Sequence, residues 1–261
     1  FTILPSKPIT KLFVDRIIDK KNADYVSFDI LVDIGWISSV HSGWYMHDVV
    51  KSVIKKELSI TVNDCADFLE NLCKYATNIL DYNLMINSLT LLTGVVDFFS
   101  DVRDNSLLIK MYNDIGYIYQ EITHYKNAEK WFKKAIDAIN CAEKNQELIF
   151  LQGVVCNNMG EFLQHLITQK EYRGEDISDE DIKSTIAQYD ESLKCYEIIL
   201  RDYELNPVEI ERRKLIVEHN KALCLYYGGH SKEAISSLNE IIHKKLQIIN
   251  QFIAMLLHYY S

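Results

Sequence analysis

The stretch YNDIGYIYQEITHYKNAEKWFKKA, residues 112–135, sets bulky side chains against tiny ones at helical spacing. Tyr112, Ile115 and Tyr119 recur on one face of a first helix, with Gly116 beside them. Ala128, Phe132 and Ala135 recur on one face of a second. Large residues at these places fill the space between two antiparallel helices, and small ones let the backbones approach. Between the two faces, Thr123 to Asn127 reads as the turn.

The same alternation continues downstream. Cys156, Met159, Gly160 and Leu163 mark a second first helix, and Thr185, Tyr189 and Ser192 its partner. Ala222 and Leu225, the Gly228-Gly229-His230 turn, then Ala234, Leu238 and Ile241 mark a third unit. In front, Phe68 to Tyr82 and Leu84 to Phe99 read as a degenerate helical pair. The order and spacing resemble the tetratricopeptide repeat (TPR), a motif made mostly of these size alternations. The units start further apart than the minimal repeat of about 34 residues, so longer helices are expected. Repeats of this kind stack into a solenoid whose first helices line a concave face. On the family's pattern, Asn113, Tyr117 and Gln120 in the first unit point there, with Asn157, Glu161 and Gln164 in the second. Amides beside aromatic rings can bond a peptide backbone while giving it apolar area.

Between Thr168 and Asp181 the second unit carries extra, acidic residues, among them Glu171, Glu175, Asp176 and Glu180, against Lys170 and Arg173. A long insertion in a solenoid sits on one face. Here a solvated extension is preferred over a surface for a basic partner. Ser178 with Asp181 reads as a capped helix start.

Composition narrows the function. The 261 residues are 48% hydrophobic and 25% charged, an ordinary globular balance, with only three prolines and nine glycines to interrupt helices. A net charge of −9 without a basic stripe argues against nucleic acid as partner. Cys65, Cys73, Cys141, Cys156, Cys195 and Cys224 show no metal-ligand spacing and read as small buried apolar residues of a reducing, cytoplasmic compartment. No run reaches the roughly 18 apolar residues of a membrane span. Catalytic signatures are lacking: the eight histidines are dispersed, and no G-x-S-x-G, H-E-x-x-H or Cys-His grouping occurs. A zinc site from His41 and His47 lacks further ligands.

The first sixty residues follow another rhythm. Ser6 before Pro8 suits a helix start, with Leu12, Phe13, Ile17 and Ile18 at helical spacing. Asp24 to Asp33 gives a second helix with Tyr25, Phe28, Leu31 and Val32 on its apolar face. Gly35 to Val40 and Trp44 to His47, separated by His41-Ser42-Gly43, read as a β-hairpin. Asp48 is expected to cap the next helix, whose Val49, Val50, Val53, Ile54 and Leu58 form one apolar stripe beside Lys51, Lys55 and Lys56. Helix, helix, hairpin, helix is a winged-helix outline. The helix before the hairpin carries Asp24, Asp29 and Asp33 and no cation, so it is not expected to read DNA.

Leu31-Val32-Asp33-Ile34-Gly35-Trp36-Ile37, followed by Tyr45-Met46-His47-Asp48-Val49-Val50, resembles the winged-helix end of NB-ARC-type signalling ATPases, the STAND class. Met46-His47-Asp48 corresponds to that family's Met-His-Asp motif. The resemblance implies that His47 touches the diphosphate of bound ADP in the resting parent protein and that Asp48 braces the turn. It also implies an upstream nucleotide-binding domain as partner, ADP or ATP as cofactor of the parent, and oligomerisation on activation. No G-x-x-x-x-G-K-[ST] phosphate loop occurs in these residues, so nucleotide is not expected to be held by this chain alone. The alternative for His47 is a hairpin-end histidine with no ligand role. The chain opens on Phe1 inside an apolar-rich segment without a signal-peptide pattern, and a piece of a longer protein is expected.

The expected fold is all-α: a TPR-like helical solenoid preceded by a small winged-helix domain with a β-hairpin. The expected plan is a winged helix over 1–58, a degenerate pair over 59–106 and TPR-like repeats over 107–261. The expected function is non-catalytic: the regulatory and sensor part of a STAND ATPase, its repeats binding a protein or peptide trigger in signalling or immunity. The alternative is a free-standing TPR adaptor or peptide receptor.

Overall fold

The computed structural model describes residues 2–10, 13, 14, 17, 25–41, 43–102 and 105–259. The expectations for Leu12, Ile18, Asp24 and Ser42, and for the side chains of Tyr25 and Phe28, lie outside what is described. The chain is all-α apart from one short antiparallel hairpin, and divides into two compact units, Phe1–Ala142 and Glu143–Ser261.

In the first unit, α1 (Tyr25–Asp33) leads to β1 (Ile37–Val40) and β2 (Gly43–Met46), then α2 (Asp48–Leu58). The strands pair Ile37 with Met46 and Val40 with Gly43. Alternation turns Ile37 and Met46 inward, where they meet Ile54 of α2 with Leu31, Val32, Trp44 and Val50 around them. Ile9 adds an antiparallel bridge to the free edge of β2: Ile9 N–H donates to the Trp44 carbonyl at 2.8 Å, and Trp44 N–H to the Ile9 carbonyl at 3.0 Å.

That bridge overturns the helix start expected at Ser6. Pro8 fixes a φ that extended chain accepts as readily as helix, and the edge of β2 takes the segment. Thr10 does the capping instead, its Oγ1 accepting from Phe13 N–H at 3.3 Å. Ser6 Oγ donates to the Met46 carbonyl at 3.2 Å and to Asp48 Oδ1. Asp48 is likewise not a cap: it is the first residue of α2, and His47 occupies the N-cap position without a side-chain capping bond.

The stripe expected on α2 is also rotated. Ile54 is buried and Val50 half-buried, but Val49, Val53 and Leu58 are 75%, 56% and 65% exposed. Lys51 points inward and donates to the Leu4 carbonyl. Burial pulls its pKa below the usual lysine range, against the opposing pull of Asp48. The backbone acceptor on the incoming N-terminal segment decides the rotation, and the sequence of the helix alone carries no sign of it.

Gly43 makes the Ile9 bridge possible. Its φ is 141°, and a Cβ there would run into the Ile9 carbonyl. Gly43→Ala should therefore open this edge at a cost of about 1–3 kcal/mol. Amide hydrogen exchange at Ile9 and Trp44 should accelerate, and unchanged exchange would contradict the bridge.

The rest of the first unit is two helix pairs. A 3₁₀ turn (Asn63–Cys65) precedes α3 (Ala66–Thr77) and α4 (Tyr82–Phe98), then come α5 (Ser106–Glu121) and α6 (Tyr125–Cys141). Asp81 caps α4 through Leu84 N–H at 3.0 Å, and Asn105 caps α5 through Leu107 N–H at 3.0 Å. α5 ends at Glu121, and beyond it Thr123 takes a left-handed φ of 62° so that His124 N–H can reach the Tyr119 carbonyl at 2.8 Å. Across the α5–α6 pair, a Cβ on Gly116 would sit 2.9 Å from the Phe132 ring, which is wholly buried.

The second unit holds α7 (Gln146–Tyr172), α8 (Asp179–Asp202), α9 (Pro207–Tyr227) and α10 (Ser231–Tyr259). Gly160 faces Tyr189 and Gly153 faces Tyr196, so α7 and α8 run antiparallel with a glycine under each ring. Gly228 against Ile182 and the Lys221–Asp190 ion pair set α9 antiparallel to α8 in turn. The Gly228-Gly229-His230 turn joins α9 to α10, with Gly229 at a left-handed φ of 80°. Ala222, Ala234 and Ile241 are buried as the repeat pattern demands.

The long insertion expected at 168–181 is a correction. α7 continues to Tyr172 and α8 begins at Asp179, so the extra residues lengthen two helices and leave a short connection. Ser178 and Asp181 form the expected reciprocal capping box. Lys170 closes the connection on Asp181 at 2.7 Å. The Lys170 ammonium first, then the Ser178 donors, hold the Asp181 carboxyl down at about 2, below its ordinary 3.8. A depressed carboxyl stabilises the fold fully above its unfolded value, and the contribution fades as pH falls toward the folded value. The stability gap between the protein and its Asp181→Asn variant should accordingly be constant above pH 4 and shrink between pH 4 and 2. Urea titrations across that range measure it; a gap independent of pH would contradict the pairing.

Candidate functional site

The expected contact residues fall into the two units. In the first, Asn113 is 3% exposed and its amide donates to Asp114 Oδ1 at 3.2 Å, a position inside the unit. Tyr117 and Gln120 are half-buried on the same helix.

In the second unit, Asn157, Glu161 and Gln164 are all half-buried, and the folded chain links them to residues not expected from the sequence. Asn157 Nδ2 donates to Glu161 Oε1 at 2.9 Å, and Asn220 Nδ2 on α9 donates to the same oxygen at 2.7 Å. Tyr189 Oη donates to Gln164 Oε1 at 2.7 Å. Burial first, then the Glu161 charge, pushes the Tyr189 phenol up, so it stays a hydrogen-bond donor. α7 and α9 run in the same direction: Arg213 stands over the Phe150 ring at 5.0 Å, and Asn220 meets Asn157 at the same offset, 63 residues. Asn220 stands at the Asn157 position of the next first helix, a register that the looseness of the second unit hid in the sequence.

Toward the start of α7 and α9 the same face opens into a groove of about 540 Å³. Phe150, Leu205 and Ile210 supply its apolar wall, with Gln146, Glu147 and Glu209 on its rim. Asn145 and Asn206 turn their side chains back to cap the two helices, accepting from Leu148 N–H at 2.9 Å and Val208 N–H at 3.1 Å. Glu209 is engaged by Arg212 at 2.8 Å and Arg213 at 2.9 Å, which hold its carboxyl at about 2, with Arg212 the larger cause. Gln146, Phe150, Asn157 and Glu161 follow one another at helical spacing, so groove and amide cluster form one strip.

His47 and Asp48 lie in the first unit. His47 is exposed at the junction of β2 and α2, with Nε2 3.1 Å from Ser38 Oγ and its ring edge-on to Tyr45 at 4.9 Å. Asp48 is occupied by Ser6 Oγ.

Groups with chemical potential elsewhere are quenched by their surroundings. Cys73 lies by the Lys110–Asp114 ion pair of 2.7 Å, yet burial first and then Asp114 push its thiol up to about 12. A thiol so placed stays protonated and is a poor nucleophile. Cys156 and Cys195 are pushed up to about 12 and Cys224 to about 11, again chiefly by burial. Cys141 is exposed, against the expectation that all six are buried: it is the last residue of α6. Among the described residues, no group of three or more His, Cys, Asp or Glu side chains could hold a metal ion, and no helix is long and apolar enough to cross a membrane.

No protein-family model matches this sequence, and no curated protein matches it. Solved structures that align with it include a kinesin light chain with nearly identical TPR-like repeats from Podosopora anserina and a single-substitution form of it. The first is 12% identical, covering 72% of this chain and 98% of its own, with a TM-score of 0.33. The second is 12% identical, covering 74% and 99%, with the same TM-score. The repeat character of the chain therefore stands on its own helix pairs.

Proposed function

We propose that this chain is a non-catalytic recognition module that binds an extended peptide segment of another protein along the α7–α9 strip. The observation that carries the reading is the cluster of Asn157, Glu161 and Asn220, three polar side chains from two helices whose starts line an apolar groove. Amides on neighbouring helices can satisfy the backbone of an extended chain, and the groove gives a side chain somewhere to go. The test is selection of linear peptides on the whole protein, followed by the double variant Asn157→Ala, Asn220→Ala. Losing two hydrogen bonds of about 1 kcal/mol each should weaken the selected peptides by roughly tenfold or more. Equal binding by the double variant would move the site elsewhere.

A finer reading joins this module to an NB-ARC-type ATPase, with residues 1–58 as a winged helix packed on an upstream nucleotide-binding domain. The exposed valines of α2 support it, together with Trp36 at 43% exposure and His47 free of burial at the hairpin end. Val49 and Val53 lie four residues apart, one apolar ridge facing water. In this reading His47 senses the diphosphate, Asp48 holds the junction through Ser6, and ADP or ATP belongs to the parent protein. The coding sequence upstream of Phe1 decides it: a phosphate-loop motif there is expected, and a reading frame without one would leave the free-standing receptor.

A further inference from the structure

We infer that the peptide taken by the second unit carries an apolar side chain and, about four or five residues away, a lysine or arginine; this rests on the peptide-recognition reading above. The strip is chemically graded. At one end Phe150, Leu205 and Ile210 line the groove, with Leu205 37% exposed. At the other end stands Glu161, which takes two neutral amide donors on the same oxygen, Oε1. Among the described residues it forms no ion pair, although twelve such pairs engage carboxylates elsewhere in the chain.

The contrast with the groove's own carboxylate selects the ligand. Glu209 is neutralised by Arg212 and Arg213, so the groove end presents mostly carbon. Glu161 is joined to no cation among the described residues and lies on a half-buried face, where opposite charges attract more strongly than in open water. A cationic side chain satisfies it, with the two asparagines holding the carboxylate in place; an acidic peptide is repelled. Spacing follows from geometry. Phe150 and Glu161 are separated along α7 by about 16 Å at the helical rise of roughly 1.5 Å per residue. An extended chain advances about 3.3 Å per residue and covers that span in about five residues.

Randomised linear peptides selected on the whole protein should share an apolar residue and a Lys or Arg at this separation. Glu161→Gln keeps an acceptor for both asparagines and removes only the charge. It should weaken the selected peptides at least tenfold without changing the melting temperature. Replacing the peptide's lysine by norleucine should cost the same factor on the native protein and nothing further on Glu161→Gln, which keeps the test decisive should the variant fold poorly. Leu205→Ser should weaken binding through the apolar end while leaving the basic preference intact. Peptides selected without a basic residue, or bound equally by native protein and Glu161→Gln, would overturn this inference and leave peptide recognition standing. Failure to select any peptide would overturn both.

Discussion

Tyr189→Ala is expected to cost the second unit about 3–5 kcal/mol, the range for deleting a fully buried aromatic side chain. The ring is wholly buried in the angle between α7 and α8 and lies directly on Gly160, where a Cβ would approach its Cε1 to 2.5 Å. Nothing nearby can collapse into that space without parting the helices. Tyr189→Phe separates the two roles of the residue. It keeps the ring but leaves the Gln164 oxygen without its 2.7 Å donor, and should cost only about 1 kcal/mol. The converse change reads the same contact from the other side. Gly160→Ala gains about 1 kcal/mol of helix propensity but overpacks against the ring by about 1–3 kcal/mol, so destabilisation is expected. Guanidinium unfolding measures all three. Similar small losses for Tyr189→Ala and Tyr189→Phe would show that the ring does not wedge the pair.

Phe132→Ala should do comparable damage in the first unit, again about 3–5 kcal/mol. Phe132 is wholly buried between α5 and α6 and fills the hollow left by Gly116. Ile115 and Ile139, on the same two helices, are likewise buried and should lose packing with it. Hydrogen exchange resolved to α5 and α6 should report protection lost along both helices. Gly116→Val provides the overpacking control: its branched side chain meets the ring at 2.9 Å or closer, and it should destabilise by about 1–3 kcal/mol without leaving a cavity. If Phe132→Ala leaves exchange in α5 unchanged, the two helices are not held by this contact.

These two glycine–aromatic contacts explain how much of the fold was legible. A residue without a side chain opposite a large ring is a two-position signal, and Gly116 with Phe132 and Gly160 with Tyr189 both stand in the sequence at helix-pair spacing. Gly153 with Tyr196 repeats the device seven residues earlier on α7 and seven later on α8, and was missed because no motif position marks it. Errors gathered where long-range contacts outweigh local pattern. The stripe of α2 read as buried, yet Lys51 took the inner position because a backbone carbonyl from Leu4 awaited it. The acidic stretch after Thr168 read as a solvated extension, yet α7 runs on to Tyr172 and leaves only a short connection before the capping box at Ser178, which the sequence did show. For the candidate site, Asn157, Glu161 and Gln164 could be named from position alone. Asn220 and the groove could not, because both depend on how α9 lies beside α7.

The unequal depth of the thiols has a practical use. Maleimides react with thiolate, and four of the six cysteines are buried and held protonated far above neutral pH. Cys65 is half-buried and shifted upward as well, chiefly by burial. Cys141 alone is open to solvent, so brief treatment at neutral pH should attach one fluorophore to the native polypeptide without mutagenesis. That dye would sit at the end of α6, on the last turn of the first unit, and offers an optical readout of that unit's unfolding.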